Sequence, residues 1–228
     1  MTIFLSPQRR AALRGLYVIT DERMAEQKSI ENHERIARAA IEGGAKIVQL
    51  RAKSTPVAKR PGIARALRSL TRRAGVLFII NDDPQLAVEA DADGVHLGPD
   101  DFSPREARRI LGHDKIIGVS CGDVLEARAA FENSADYIGA GAIFSTRSKA
   151  DAGAPIGLEN LRAIVSATPL PVAAIGGINL ENISDVAQNG AAMACVISAI
   201  TNCADETSMT TAARALSEKF SGAFGENL

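Results

Sequence analysis

Short aliphatic runs alternate along this chain with stretches of helical, 3.6-residue periodicity. The first run, Leu16–Thr20, reads as a strand, and a helical pattern follows near Asn32–Glu42 and stops at Gly43-Gly44. The second run is Ile47–Leu50, followed by a helical segment over about Val57–Ala74 that ends at Gly75. Pro61-Gly62 interrupts that segment, so the helix either begins after Pro61 or is broken there. Leu77–Ile80 is the third run, with Pro84 in the first turn of a short helix. The fourth, Gly94–Leu97, precedes Ser103-Pro104-Arg105-Glu106, which has the spacing of a capping box. Strands five to eight are expected at Ile116–Val119, Tyr137–Gly139, Val172–Ile175 and Ala194–Ile197. Their helices are expected near Val124–Asn133, Leu158–Ala167, Glu181–Asn189 and Glu206–Phe220.

Eight strand–helix units in succession exceed the five or six strands, roughly, of an open doubly wound sheet. They predict an α/β fold, a single (β/α)8 TIM barrel spanning residues 1–228 as one domain. Such barrels run from about 200 residues upward, so a 228-residue chain holds one with short loops. Residues 1–14 read as an arm or a short helix, with an apolar run too short for a signal segment or a membrane span. Aromatics are only 4% and Trp is absent, so aliphatic side chains must fill the core, which suits buried parallel strands. The formal net charge of −1 supplies no basic excess for nucleic acid or an anionic membrane. Cys121, Cys195 and Cys203 form no CxxC pair, which argues against a disulfide framework or zinc site and fits a reducing, cytoplasmic setting. The sequence leaves open whether the chain forms a homo-oligomer.

Barrel chemistry sits at the carboxyl ends of the strands. The residues there are polar: Arg51 and Lys53 after strand two, Asn81 and Asp82 after strand three, Asp100 and Asp101 after strand four, and Ser120 after strand five. Thr146, Ser148 and Lys149 lie in the long loop after strand six, Gly176-Gly177 end strand seven, and Ser198 ends strand eight. Gly176-Gly177 and a short helix opening at Ser198-Ala199 would present backbone N–H groups to a phosphate; the plainer alternative is a tight turn and a cap. Asp82 and Asp101 follow adjacent strands and supply hard oxygen ligands suited to Mg2+, unless they merely cap helices. Arg51, Lys53 and Lys149 suit an anionic ligand, against the alternative of solvated surface charge. His96 reads as a packed histidine and His33 and His113 as helix or turn surface; no cysteine reads as a nucleophile.

These segments, in this order, resemble the thiamine phosphate synthase family: LYVITD (16–21), VQLRAK (48–53), FIINDD (78–83), ADGVHLG (92–98), IIGVS (116–120), ADYIGAGAIFSTRSKADA (135–152), AAIGGI (173–178) and ISAI (197–200). The resemblance implies a transferase. It joins hydroxymethylpyrimidine diphosphate to hydroxyethylthiazole phosphate with Mg2+, giving thiamine phosphate and pyrophosphate. By position, it implies Gln49, Leu50, Arg51, Ala52, Lys53, Asn81, Ser120 and Lys149 at the pyrimidine diphosphate. Arg51, Lys53, Ser120 and Lys149 carry the catalytic roles. Asp82 and Asp101 match the metal ligands. Thr146, Arg147, Ser148, Gly177, Ile197 and Ser198 match the thiazole phosphate site. The implied partners are small phosphorylated molecules, with neither nucleic acid nor membrane.

The chain departs from the family pattern at Pro99, where Gln is common, at Cys121-Gly122-Asp123, where a His is common, at Ala142, where Pro is usual, and at Ser148, where Thr often stands. Two other readings stay beside the synthase: a thiazole tautomerase-like paralogue and a non-catalytic phosphate-binding paralogue. The tautomerase relies on a histidine near the end of strand five, where this chain has Gly122.

Overall fold

The computed structural model describes residues 5–21, 30–146, 148 and 153–224. Eight strands run β1 (Gly15–Ile19), β2 (Ile47–Leu50), β3 (Leu77–Asn81), β4 (Gly94–Leu97), β5 (Ile116–Cys121), β6 (Tyr137–Gly141), β7 (Val172–Ile175) and β8 (Met193–Val196). All neighbours pair in parallel, and β1 pairs with both β2 and β8, so the sheet closes into a barrel. The α-helices are α1 (Pro7–Ala11), α2 (Ile30–Glu42), α3 (Arg60–Ala74), α4 (Pro84–Glu89), α5 (Pro104–Leu111), α6 (Val124–Glu132), α7 (Gly157–Ala167), α8 (Ile183–Gln188), α9 (Ser198–Thr201) and α10 (Glu206–Gly222). Among the described residues, no helix is long and apolar enough to cross a membrane.

The expected barrel is therefore present, and the differences lie at element ends. β3, β5 and β6 each run further than the apolar pattern indicates, ending at Asn81, Cys121 and Gly141. A polar residue or glycine falls within each extension (Asn81, Ser120 and Gly141), so the continuous apolar run stops before the hydrogen-bond ladder does. Pro61 neither breaks nor precedes α3. It occupies the helix's first turn, where a missing N–H costs nothing, after a 3-10 turn at Val57–Lys59. The N-terminal segment includes the short helix α1, capped by the Ser6 side chain.

Period-two alternation sorts each strand between two cores. Leu16 and Val18 of β1 face the helices, with Val48, Leu50, Phe78 and Ile80, in the larger apolar layer. Tyr17, Ile19, Ile47, Ile79, Ile116, Tyr137 and Met193 point into the barrel. His33 corrects the surface reading. It is buried, and its Nδ1 lies 2.8 Å from Thr20 Oγ1. It belongs to the buried stripe His33, Ile36, Ala37 and Ala40 of α2, an i, i+3, i+4, i+7 pattern already visible in the sequence. Thr20 Oγ1 also accepts from the Arg51 backbone N–H at 3.3 Å, which ties the β1 and β2 ends together beneath Arg51.

Candidate active site

A cavity of about 410 Å³ opens at the carboxyl ends of the strands. Arg51, Lys53, Asn81, Asp82, Asp101 and Ser120 line one side. Thr146, Ser148, Gly176, Gly177, Ile197 and Ser198 line the other. The residues expected from strand ends thus share one space. Lys149 and Arg147 lie outside the described residues. Gln49, Leu50 and Ala52 do not line the cavity: Gln49 is fully buried inside the barrel beneath it, and Leu50 and Ala52 pack outward against the helix layer. Adjacent residues of a strand face opposite sides, so this run cannot place every side chain at the mouth.

Local hydrogen bonding resolves the capping alternatives. Asp83, not Asp82, caps α4, accepting from Leu86 N–H at 2.9 Å. Asp82 takes a left-handed backbone, φ 67°, and its N–H donates to the His96 carbonyl at 2.8 Å. Ser103 and Glu106 form the capping box of α5, so Asp101 is not its cap. One Asp101 oxygen accepts from Gly98 N–H at 2.7 Å. Both carboxyls line the cavity. Burial pushes the Asp82 carboxyl up to about 6, the neighbouring Asp101 carboxyl adds to this, and Lys53, 3.2 Å away, opposes it. Two adjacent carboxyls that resist joint ionisation form a site a divalent cation would relieve. Among the described residues no cluster of three or more His, Cys, Asp or Glu side chains that could hold a metal exists.

The opposite wall is shaped by glycine. Gly176 and Gly177 have φ 101° and 66°. A Cβ on Gly176 would meet Ala142 Cβ at 2.5 Å, and one on Gly177 would meet the Ser145 carbonyl at 2.6 Å. These glycines therefore admit the base of the β6 loop as well as lining the cavity. Ile143 and Phe144 N–H donate to the carbonyls of Ile175 and Gly176, stitching that base to β7. The α9 helix opens at Ser198 on the same wall, as expected.

Glu126 and His96 are two of the lining residues that sequence reasoning did not assign to the site. Glu126 lies three residues after Asp123, the N-cap of α6, so it reads as a helix-start residue; its Oε2 instead accepts from Gly122 N–H at 2.5 Å at the cavity edge. His96 is packed inside the barrel as expected, yet its ring also forms part of the cavity floor. The Cys121 thiol is pushed up to about 12 by burial, and nearby Glu126 and Asp123 add to this, so it stays a thiol at neutral pH.

Residues 16–200 match the family model described as thiamine monophosphate synthase. The thiamine-phosphate synthase of Moorella thermoacetica is 47% identical over 191 residues, covering 84% of this chain and 90% of that protein. That of Chloroflexus aurantiacus is 45% identical over 201 residues, 88% and 91% of the two chains. Among solved structures, thiamine phosphate pyrophosphorylase from Pyrococcus furiosus superposes with a TM-score of 0.83 at 38% identity, covering 95% of this chain and 100% of that one. With the barrel, the two-sided cavity and these relatives in agreement, the chain belongs to the thiamine monophosphate synthase family.

Proposed function

We propose that this protein makes thiamine phosphate, joining hydroxymethylpyrimidine diphosphate to hydroxyethylthiazole phosphate with release of pyrophosphate. The observation that supports the reading is one cavity with two unlike polar walls. The Arg51, Lys53, Asp82 and Asp101 wall suits a diphosphate that leaves. The Thr146, Ser148, Gly177 and Ser198 wall suits a phosphate that stays. Family resemblance adds Lys149 to the first and Arg147 to the second.

Asp82 and Asp101 would hold Mg2+, which when bound offsets charge on the diphosphate. Lys53 balances the Asp82 carboxyl and stays within reach of an anionic ligand. The Arg51 guanidinium suits a phosphate fork. As the diphosphate departs, negative charge grows on its oxygens, and these fixed cations stabilise that change. The thiazole nitrogen then attacks the electron-poor pyrimidine methylene carbon, a step that asks for positioning more than for a protein base. The Cys121 thiol stays protonated at neutral pH and so does not compete with the thiazole as a thiolate. Cytoplasmic location and assembly as a homo-oligomer fit this reading.

The test mixes purified protein with both phosphorylated substrates in Mg2+ or EDTA and measures thiamine phosphate and pyrophosphate together. Equal amounts of both, formed only with the metal, are expected. Absence of metal-dependent product would sink the proposal.

A further inference from the structure

A column of polar side chains runs inside the barrel below the cavity. Gln49 Nε2 donates to the Tyr17 hydroxyl at 2.7 Å. The Tyr17 and Tyr137 hydroxyls are 3.0 Å apart. The Tyr137 hydroxyl is 3.0 Å from His96 Nδ1, and His96 Nε2 is 3.1 Å from Ser120 Oγ. Tyr17, Gln49 and Tyr137 are at most 1% exposed, whereas His96 and Ser120 reach the cavity.

The barrel is built around this column. A Cβ on Gly118 would lie 2.1 Å from the Tyr137 ring, and one on Gly139 would lie 2.9 Å from His96 Cε1. Glycine inside a strand is unfavourable and often marks a close approach. Here two strands, β5 and β6, carry it where the two rings need room. Tyr137 packs between its column neighbours, with ring centroids 6.2 Å from Tyr17 and 5.5 Å from His96.

A phenol has one proton, which gives the column a direction. The Tyr17 oxygen already accepts from the Gln49 amide, and donation from Tyr17 to Tyr137 is the direction that leaves no phenol proton unpaired in the buried column, so the Tyr17 proton is assigned to Tyr137. The Tyr137 proton goes to His96 Nδ1, which leaves the imidazole proton on Nε2, where it meets Ser120 Oγ. The Ser120 proton is then unused within the column and can turn to a ligand. If the Gln49 amide were turned over, each bond would reverse, Ser120 would spend its proton on His96, and only lone pairs would face the cavity. In the observed arrangement Gln49 Oε1 is one of four buried side-chain atoms, among the described residues, without a hydrogen-bond partner.

We propose that Gln49, Tyr17 and Tyr137 are positioning residues that hold His96 as its Nε2–H tautomer, and so present the Ser120 hydroxyl as a hydrogen-bond donor into the cavity. The synthase reading identifies the acceptor as an oxygen of the pyrimidine diphosphate, and the inference rests on that reading for this detail only. A donor there favours the departing diphosphate; a lone pair would oppose it.

Nitrogen-15 NMR of histidine-labelled protein without ligand tests the column directly, since the chain has three histidines and a His96→Gln spectrum assigns the relevant one. Expected is a neutral ring protonated at Nε2 in the parent protein and a mixture of tautomers in Tyr137→Phe. Should Tyr137→Phe fail to fold, Tyr17→Phe carries the same readout, with loss of the single tautomer expected. In turnover, Tyr137→Phe is expected to lower kcat about tenfold. KM for the thiazole phosphate is expected to stay within about twofold. In a Ser120→Ala background the same change should add little, because both act through one hydroxyl. An Nδ1–H tautomer in the parent protein, a tautomer unaltered by either phenylalanine, or independent, multiplying effects of Tyr137→Phe and Ser120→Ala would overturn the inference. A protein without synthase turnover would defeat the functional reading while the NMR result still decides the column.

Discussion

Asp82 combines three unusual conditions: a left-handed backbone, a like-charged neighbour in Asp101, and Lys53 at 3.2 Å. Its folded-state value of about 6 stands above the ordinary carboxylate value of about 3.9. The protonated form is thus favoured by folding. That stability is fully present below pH 4 or so and is lost as pH rises through about 6. A divalent cation should restore it where the pair is ionised. The rise in Tm on adding Mg2+ is therefore expected to be small at pH 5 and larger at pH 7.5, and to be nearly abolished in Asp101→Asn. Thermal unfolding at the two pH values checks this, and an equal Mg2+ effect at both would refute the ligand assignment. His33 marks another residue-scale lesson. Its burial was legible as part of an apolar helical stripe, but its bond to Thr20 depends on how α2 docks on β1.

The β7 turn and the base of the β6 loop form one element-scale unit. Gly177 has both a left-handed φ and backbone 2.6 Å from where its Cβ would stand. Gly177→Ala is expected to destabilise the fold by about 1–3 kcal/mol and to raise KM for the thiazole phosphate more than KM for the pyrimidine diphosphate. Unfolding curves and separate substrate titrations distinguish this from general damage. The capping box of α5 lies just beyond Asp101, and among the described residues its side-chain hydrogen bonds run to each other and to their own backbone. Ser103→Ala should cost about 1 kcal/mol. For a chain this long that lowers Tm by roughly 2–4 °C. The Mg2+ dependence of turnover should be unchanged. A shifted Mg2+ titration would mean that the box holds Asp101 in place.

Across the whole molecule, the candidate site and the buried ion pairs occupy opposite ends of the barrel, as the architecture predicts. The residue before β4, Asp93, accepts from Phe78 N–H and pairs with Arg68 at 2.9 Å. The residue before β6, Asp136, likewise accepts from Ile117 N–H and pairs with Arg108 at 2.6 Å. Arg108 also donates to the carbonyls of Gly112, Lys115 and Ser134, so one buried guanidinium ties α5 to the segments entering β5 and β6. Removing it strands a buried carboxylate. Arg108→Ala is expected to cost about 3–5 kcal/mol while kcat of the folded fraction stays unchanged. Denaturant titration and active-site-normalised kinetics measure the two effects, and a large loss of kcat at equal folding would contradict this division.

The repeat of aliphatic run and helical pattern, eight times over, determined the barrel by itself, because period and order are properties of neighbouring residues. It also pointed to the end at which the cavity opens, and the polar residues and glycines after the strands then named about half of the cavity lining. What it left open depended on distant partners. Whether Asp82 caps α4 was decided by the structure, which gives the cap to Asp83. The Gly176-Gly177 pair was legible as a turn, but its close neighbour, the β6 loop, appeared only on closure of the sheet. The same holds for the column from Gln49 to Ser120. Its members lie on β1, β2, β4, β5 and β6, and Gly118 and Gly139 look like ordinary strand glycines until the barrel brings two rings against them. Hydrophobic pattern is local and survives in the sequence; hydrogen-bond direction and shared space belong to the closed structure alone.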